Sequence, residues 1–382
     1  MEPFTVSVPQ AVLDDLRARL DRTRLPNQIA GMGWGQGTER GYLTGLVDHW
    51  RTAYDWRATE ARLNAIPQFV TEIDGQRFHF LHARSARPGA MPLMITHGWP
   101  GSVMEFLDVV GPLSQDFHVV APSLPGFTFS GETTEADWHP RRIAGALGRI
   151  MAELGYERYG LQGGDWGSLV SANLADLHPG RVVGLHVNLV TAASPVPDAE
   201  ITEEERRALD ASKLWRRTGV GYQEIQSTRP QSLGYALQDS PTGLAAWIVE
   251  KFREWSEGDI AEAFTFDRLL DNITAYWVTG TAASSLRIYW EMRQAGRRAV
   301  PEGRIEVPTA VARFPGEISY PPRSWVEAAY NVVRWSNPGR GGHFAAMEAP
   351  AEFCDDVRSF FVALWEKEQA RRRGYADLDV DP

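Results

Sequence analysis

Gly163-Gly164-Asp165-Trp166-Gly167-Ser168 decides how the 382-residue chain is read. Tyr159-Gly160-Leu161-Gln162 leads in as a short apolar strand, and Leu169-Val170-Ser171-Ala172-Asn173-Leu174 leads out as a helix. Small residues stand at 163, 167 and 168. A nucleophile elbow needs this pattern, because its central residue is strained and its neighbours must let strand and helix approach. The usual occupant of the centre is Ser; here it is Asp165. A carboxylate attacks carbon and leaves an ester, which moves the chemistry from acyl toward alkyl transfer. The same six residues also read as an Asp N-cap after a glycine turn, and the rest of the chain must separate the two.

Working outward, the stretches 93–96, 117–122 and 182–188 read as short buried strands, and 141–154 as a helix. Upstream, Asp74-Gly75 sits between the strand-like runs 69–73 and 77–82, a hairpin signal. Strands alternating with helices predict an α/β fold with a mostly parallel sheet. Residues 1–66 read as a helical arm, with Val12, Leu13, Leu16 and Leu20 on one face. Pro26 is expected to end that first helix, and a second amphipathic stretch, 39–64, breaks near Asp55. After Val190 the alternation lapses: 193–198 is linker-like, and 199–300 reads as helices. Strand signals return at 308–314 and 331–335, a terminal helix follows Pro350, and 367–373 is expected to be a solvated, fraying end. The expected division is an N-terminal helical arm (1–66), the first part of an α/β core (67–190), a helical cap (191–300) and the second part of the core (301–382).

Composition narrows the function classes. Hydrophobic content of 43% and charged content of 23% are globular values. A net charge of −10 with no basic stripe argues against nucleic acid as a partner. The one cysteine, Cys354, cannot form an internal disulfide, which fits a reducing cytoplasm, and its place in the terminal helix suggests packing. No apolar run is long enough to span a membrane, and Met1-Glu2-Pro3-Phe4 lacks the regions of a signal peptide. No metal-ligand spacing or phosphate loop stands out, so neither metal nor cofactor is expected.

A nucleophile on an elbow needs a base, an orienting acid and an oxyanion hole, in the chain order nucleophile, acid, histidine. His343, in Gly341-Gly342-His343-Phe344, follows the last strand signal and is the candidate base. Glu317, after Phe314-Pro315-Gly316, is the candidate acid by position, with Glu306, Glu327 and Glu348 as rivals. His97, His118, His139, His178 and His186 are better read as loop, core or turn residues. His97-Gly98-Trp99-Pro100-Gly101-Ser102 can aim backbone N–H groups at the site, so the amides of Trp99 and Trp166 are the candidate oxyanion donors.

These stretches, 163–168, 97–102, 314–317 and 341–344, together resemble the microsomal-type epoxide hydrolases of the α/β-hydrolase fold. Tyr54-Asp55-Trp56-Arg57, Leu63-Asn64, Pro67-Gln68-Phe69 and Ile73-Asp74-Gly75 are similar to that family's N-terminal segment and first strands. Membrane-bound members carry an anchor before this arm, and the chain begins at the arm, so it resembles the soluble bacterial members. The resemblance implies that two cap tyrosines, at positions matching Tyr222 and Tyr289, hydrogen-bond the epoxide oxygen; Tyr235 and Tyr276 are the nearest rivals.

The expected activity is conversion of an epoxide to a vicinal diol through an ester on Asp165, in xenobiotic detoxification or in natural-product biosynthesis of the polyketide or enediyne type. Trp247, Trp255, Trp277 and Trp290 point to an apolar or aromatic substrate. Water is the second reactant, and the sequence leaves a homodimer open. A haloalkane or haloacid dehalogenase with the same triad is the alternative, followed by a non-catalytic ligand-binding scaffold. A serine esterase is disfavoured, because Ser168 lies three residues past the elbow's centre.

Overall fold

The strands Met91–Thr96 and Val182–Val187 are buried at every residue, as strands covered on both faces must be. That accounts for apolar runs without alternation. The computed structural model describes residues 1–192, 201–319 and 321–376; the linker read at 193–198 lies outside them. Among the described residues the strands are β1 (Glu2–Phe4), β2 (Gln68–Ile73), β3 (Gln76–Ala83), β4 (Met91–Thr96), β5 (Phe117–Pro122), β6 (Tyr159–Gly163), β7 (Val182–Val187), β8 (Ile305–Ala312) and β9 (Tyr330–Ser336). They form one sheet in the order β1-β2-β3-β5-β4-β6-β7-β8-β9. The pairs from β5 to β9 are parallel, and the β1, β2 and β3 edge is antiparallel.

Asp74 (φ 53°) and Gly75 (φ 76°) make the two-residue hairpin between β2 and β3, with Ile73 opposite Gln76. Positive φ at both positions is what a type I′ hairpin turn demands, hence Asp-Gly. Helices Pro140–Glu153 and Trp166–Leu177 cover one face of the sheet, meeting Met94, Val120, Leu161 and Leu185. The terminal helix Pro350–Ala376 covers the other with Phe353, Val357, Phe360 and Phe361. Cys354 is buried in that layer. No helix among the described residues is long and apolar enough to cross a membrane.

Three details differ from expectation. The arm opens with a strand, β1, which pairs with β2 as Glu2 to Val70 and Phe4 to Gln68. The first arm helix, Gln10–Asp21, stops before Pro26. The terminal helix runs through 367–373 to Ala376 instead of fraying. The break near Asp55 is an N-cap: its side chain accepts from Arg57 N and starts helix Trp56–Asn64. Between β7 and β8 lie the helices from Glu203–Thr218 to Arg287–Ala295. The arm ties this helical layer to the core. Arg62 reaches Asp271 of the layer (3.1 Å) and Asp108 of the core (3.2 Å), and Tyr54 OH donates to Asp271 (3.0 Å).

One buried ion cluster fastens the terminal helix. Asp356 accepts from Arg334 on β9 (2.5 Å) and Ser336 (2.7 Å) and lies 3.0 Å from His186 Nε2 on β7. Burial pushes the Asp356 carboxyl up, but its bonds to His186, Arg334 and Ser336 outweigh this and hold it well below the usual carboxylate range. A depressed folded-state pKa contributes stability above the unfolded value, about 3.9, and loses it as pH falls through the window below. Asp356→Asn is therefore expected to lose about 3 kcal/mol at pH 7, with the deficit shrinking toward pH 3 in urea-unfolding curves. A deficit constant from pH 7 to pH 3 would contradict this account.

Candidate active site

The elbow is built where β6 ends and helix Trp166–Leu177 begins. Asp165 takes φ 49° and ψ −128° and occupies the N-cap position, yet its side chain makes no capping hydrogen bond. The plain helix-cap reading therefore fails. Such a backbone costs about 1–3 kcal/mol at a residue with a side chain. Close approach makes the flanking glycines obligatory. A Cβ on Gly167 would stand 1.9 Å from the Thr96 carbonyl oxygen, and one on Gly163 would stand 2.3 Å from the Gly167 carbonyl oxygen.

The carboxyl of Asp165 is turned across the sheet top. Its Oδ1 accepts from Trp99 N at 2.7 Å, and its Oδ2 lies 3.5 Å from His343 Nε2. The Trp166 amide heads the helix, where an N–H has no carbonyl four residues back. His343 Nδ1 lies 2.8 Å from Glu317 Oε1, which also accepts from Ile318 N at 2.7 Å. His343 and Glu317 ride the loops after β9 and β8, and these loops touch through a Gly316–Gly342 bridge. The structure thus brings Asp165, His343, Glu317 and the Trp99 amide together. Burial pulls the His343 imidazole down, but the charges of Glu317 and Asp165 and their hydrogen bonds win and hold it well above its ordinary value.

Tyr222 and Tyr289 come from helices Gly221–Thr228 and Arg287–Ala295, both buried. Their rings meet edge-on at 5.8 Å. Tyr222 stacks on Trp99 at 5.3 Å, and Tyr289 meets Trp166 edge-on at 4.7 Å. Burial, then the charge of Asp165, pushes the Tyr222 phenol far above its ordinary value. Burial does the same at Tyr289, followed by Tyr222 and Asp165. Both phenols therefore stay protonated donors. Of the two rivals, Tyr235 is exposed and Tyr276 OH donates to the Gly101 carbonyl (2.5 Å).

The rival acids do other work. Glu306 pairs with Arg304 (2.7 Å) and Glu327 with Arg323 (2.7 Å), all at the surface. Glu348 accepts from Phe344 N (3.0 Å) and from Glu257 N (2.9 Å). Burial pushes its carboxyl up to about 7 against those bonds. This is one strand of a clamp. His343 N donates to the Trp255 carbonyl (2.9 Å), and Gly341 N donates to Glu257 (2.6 Å). The helical layer thus grips the histidine loop through residues 255–257. His97 is a buried, neutral loop lock: burial pulls it down to about 4, and its Nε2 accepts from Leu124 N (3.1 Å).

Of the four tryptophans expected to shape the pocket, Trp255 lies against His343 (4.9 Å) and Tyr222 (5.3 Å). Trp277 packs under Arg19, and Trp247 bonds Gln226 (2.9 Å). Sequence reasoning missed Glu105, which lines the cavity between Asp165 and His343. The available signal was Gly101 followed four residues later by an acid in the same loop.

Comparison with known proteins gives consistent relationships. Residues 1–106 match the family described as epoxide hydrolase N terminus, and 91–246 match the alpha/beta hydrolase fold. A candidate epoxide hydrolase of Stigmatella aurantiaca is 45% identical over 379 residues, covering 96% of this chain and 86% of its own. Epoxide hydrolase 1 of Sus scrofa is 35% identical over 408 residues, covering 95% and 89%. The structure of Aspergillus niger epoxide hydrolase superposes with a TM-score of 0.86 at 32% identity, covering 95% of this chain and 96% of that one.

The elbow packing predicts the outcome at Gly167. Gly167→Ala should destabilise the protein by about 3 kcal/mol, at the upper end for overpacking, because its obstacle is backbone and cannot rotate away. A urea-unfolding midpoint equal to wild type would show that the elbow has room to relax.

Proposed function

This chain belongs to the epoxide hydrolase family, and we propose that it opens its substrate through a covalent ester on Asp165. The observation that carries this reading is a strained carboxylate that accepts from the Trp99 amide instead of capping its own helix. In this reading Oδ1, which accepts from Trp99 N, becomes the ester carbonyl oxygen. Oδ2 is then the attacking atom. It displaces the epoxide oxygen from one ring carbon, and Tyr222 and Tyr289 hydrogen-bond and protonate the departing oxygen.

Esterification changes the electrostatics of the site. While Asp165 is charged, it helps keep the His343 proton in place. Once Oδ2 is alkylated, that charge is gone and the imidazole value falls. His343 sheds a proton, in net the one the phenols gave up, and becomes a base. Water adds to the ester carbonyl carbon as His343 takes one of its protons. The oxyanion forms on Oδ1, which already accepts from Trp99 N; the Trp166 amide is the proposed second donor, and each such donor is worth roughly 10²–10³ in rate. Collapse breaks the bond between the alkyl oxygen and the carbonyl carbon, the alkoxide takes the proton from His343 and leaves as a vicinal diol, and the carboxylic acid left at Asp165 returns its proton to His343, restoring the starting charges. Glu317 holds the imidazole tautomer through both steps.

The rings of Trp99, Trp255, Tyr222 and Tyr289 frame the site, which supports an apolar or aromatic epoxide. Breadth across styrene-type, aliphatic and polycyclic epoxides separates a detoxifying role from a biosynthetic one.

His343→Gln should accumulate the ester, seen as an intact-mass gain equal to the epoxide. Retained turnover with no adduct would refute the base assignment. The double variant Tyr222→Phe, Tyr289→Phe should slow ester formation by about 10²-fold or more in single-turnover experiments; an unchanged rate would remove the phenols from the mechanism.

A further inference from the structure

Between Asp165 and His343 lies a narrow cavity that the steps above leave unassigned. Its walls include Gly98, Trp99, Glu105 and Ala346 besides those two residues. About 20 Å³ of it is open to the centre of a water-sized sphere, against the roughly 10–15 Å³ that one water requires. Neither Tyr222 nor Tyr289 lines it, so it is not the wall that faces the epoxide oxygen.

Glu105 is placed here by its own turn. Ser102 accepts from Met104 N and starts the 3₁₀ turn Val103–Phe106. A Cβ on Gly101 would lie 1.5 Å from Glu105 Oε1, so the bare backbone at 101 is what admits the carboxyl. No donor among the described residues bonds that carboxyl. Burial pushes it up to about 8, opposed by the charge of His343 and reinforced by those of Asp165 and Glu348. At neutral pH it is then an uncharged acid with a free carbonyl oxygen.

We infer that this cavity holds the water that hydrolyses the ester, and that Glu105 holds that water against His343. The inference rests on the ester on Asp165. An attacking water needs one lone pair toward the ester carbonyl carbon and one proton toward His343 Nε2. Its second proton needs an acceptor, and the wall of the cavity supplies the Glu105 carbonyl oxygen. A neutral carboxyl does this without setting a further negative charge beside Asp165 during ring opening. Glu105 ends the cycle with the proton it began with. It is a positioning group for one step only, the release of the ester.

The test separates the two steps in single turnovers, following ester formation by tryptophan quenching and ester decay by intact mass. Glu105→Ala and Glu105→Met, which lose the acceptor with and without loss of volume, should form ester at close to the wild-type rate. Both should release it at least about tenfold more slowly, so the adduct builds up. Glu105→Gln keeps an acceptor of the same size and should recover most of the release rate. Normal ester formation with unchanged release in the Ala and Met variants overturns the water site, as does equal slowing of both steps. No adduct in either wild type or His343→Gln overturns the ester itself, and the water site with it.

Discussion

A positive φ at a residue that carries a side chain persists only where its surroundings over-determine it. At Asp165 they do. β6 enters, helix Trp166–Leu177 leaves at once, and Gly163 and Gly167 let the two meet the backbone at Thr96. The loop after β4 then offers the Trp99 amide to Oδ1. Every other site group is placed relative to that one carboxyl. Parallel neighbours β4, β6, β7, β8 and β9 end on the same side of the sheet, so the loops bearing Trp99, Asp165, Glu317 and His343 converge without any long connection. Backbone strain is held by packing, and packing is held by a sheet buried on both faces.

Electrostatics divides labour among groups of one kind. Carboxyls at 105, 165, 317 and 348 surround a single imidazole. Glu105, desolvated and with no donor among the described residues bonded to its carboxyl, is pushed toward neutrality; Glu348 is offset by backbone donors. Asp165 and Glu317 face the two ring nitrogens of His343. Environments that push titratable groups apart are how one site runs acid and base steps at one pH. The phenols complete the set as donors that burial keeps protonated.

Much of this was legible in the sequence because it follows from chain order and local rules. Alternating strands and helices gave the fold class, Asp74-Gly75 the hairpin, and the order 165, 317, 343 the three groups that the structure brings together. What escaped had no local signal. Glu2–Phe4 is too short and too polar to show a strand period, and becomes one only because β2 offers an edge. Trp277 and Trp247 carry no local sign of Arg19 and Gln226, the partners that tertiary packing gives them. Glu105 reads as an ordinary turn acid; its position depends on a missing side chain at 101 and on loops remote in sequence.

The grip of residues 255–257 on the histidine loop bears on how such a protein can change. The helical layer that contributes Tyr222 and Tyr289 also carries the Trp255 carbonyl that accepts from His343 N and the Glu257 carboxylate that accepts from Gly341 N. That layer is not an interchangeable module. A graft from a relative that altered this short segment would loosen the base even if its pocket fitted a new epoxide well. On the proposed mechanism, selectivity and ester release are therefore coupled through this segment, and side chains can vary with least effect on the imidazole in helices away from 255–257.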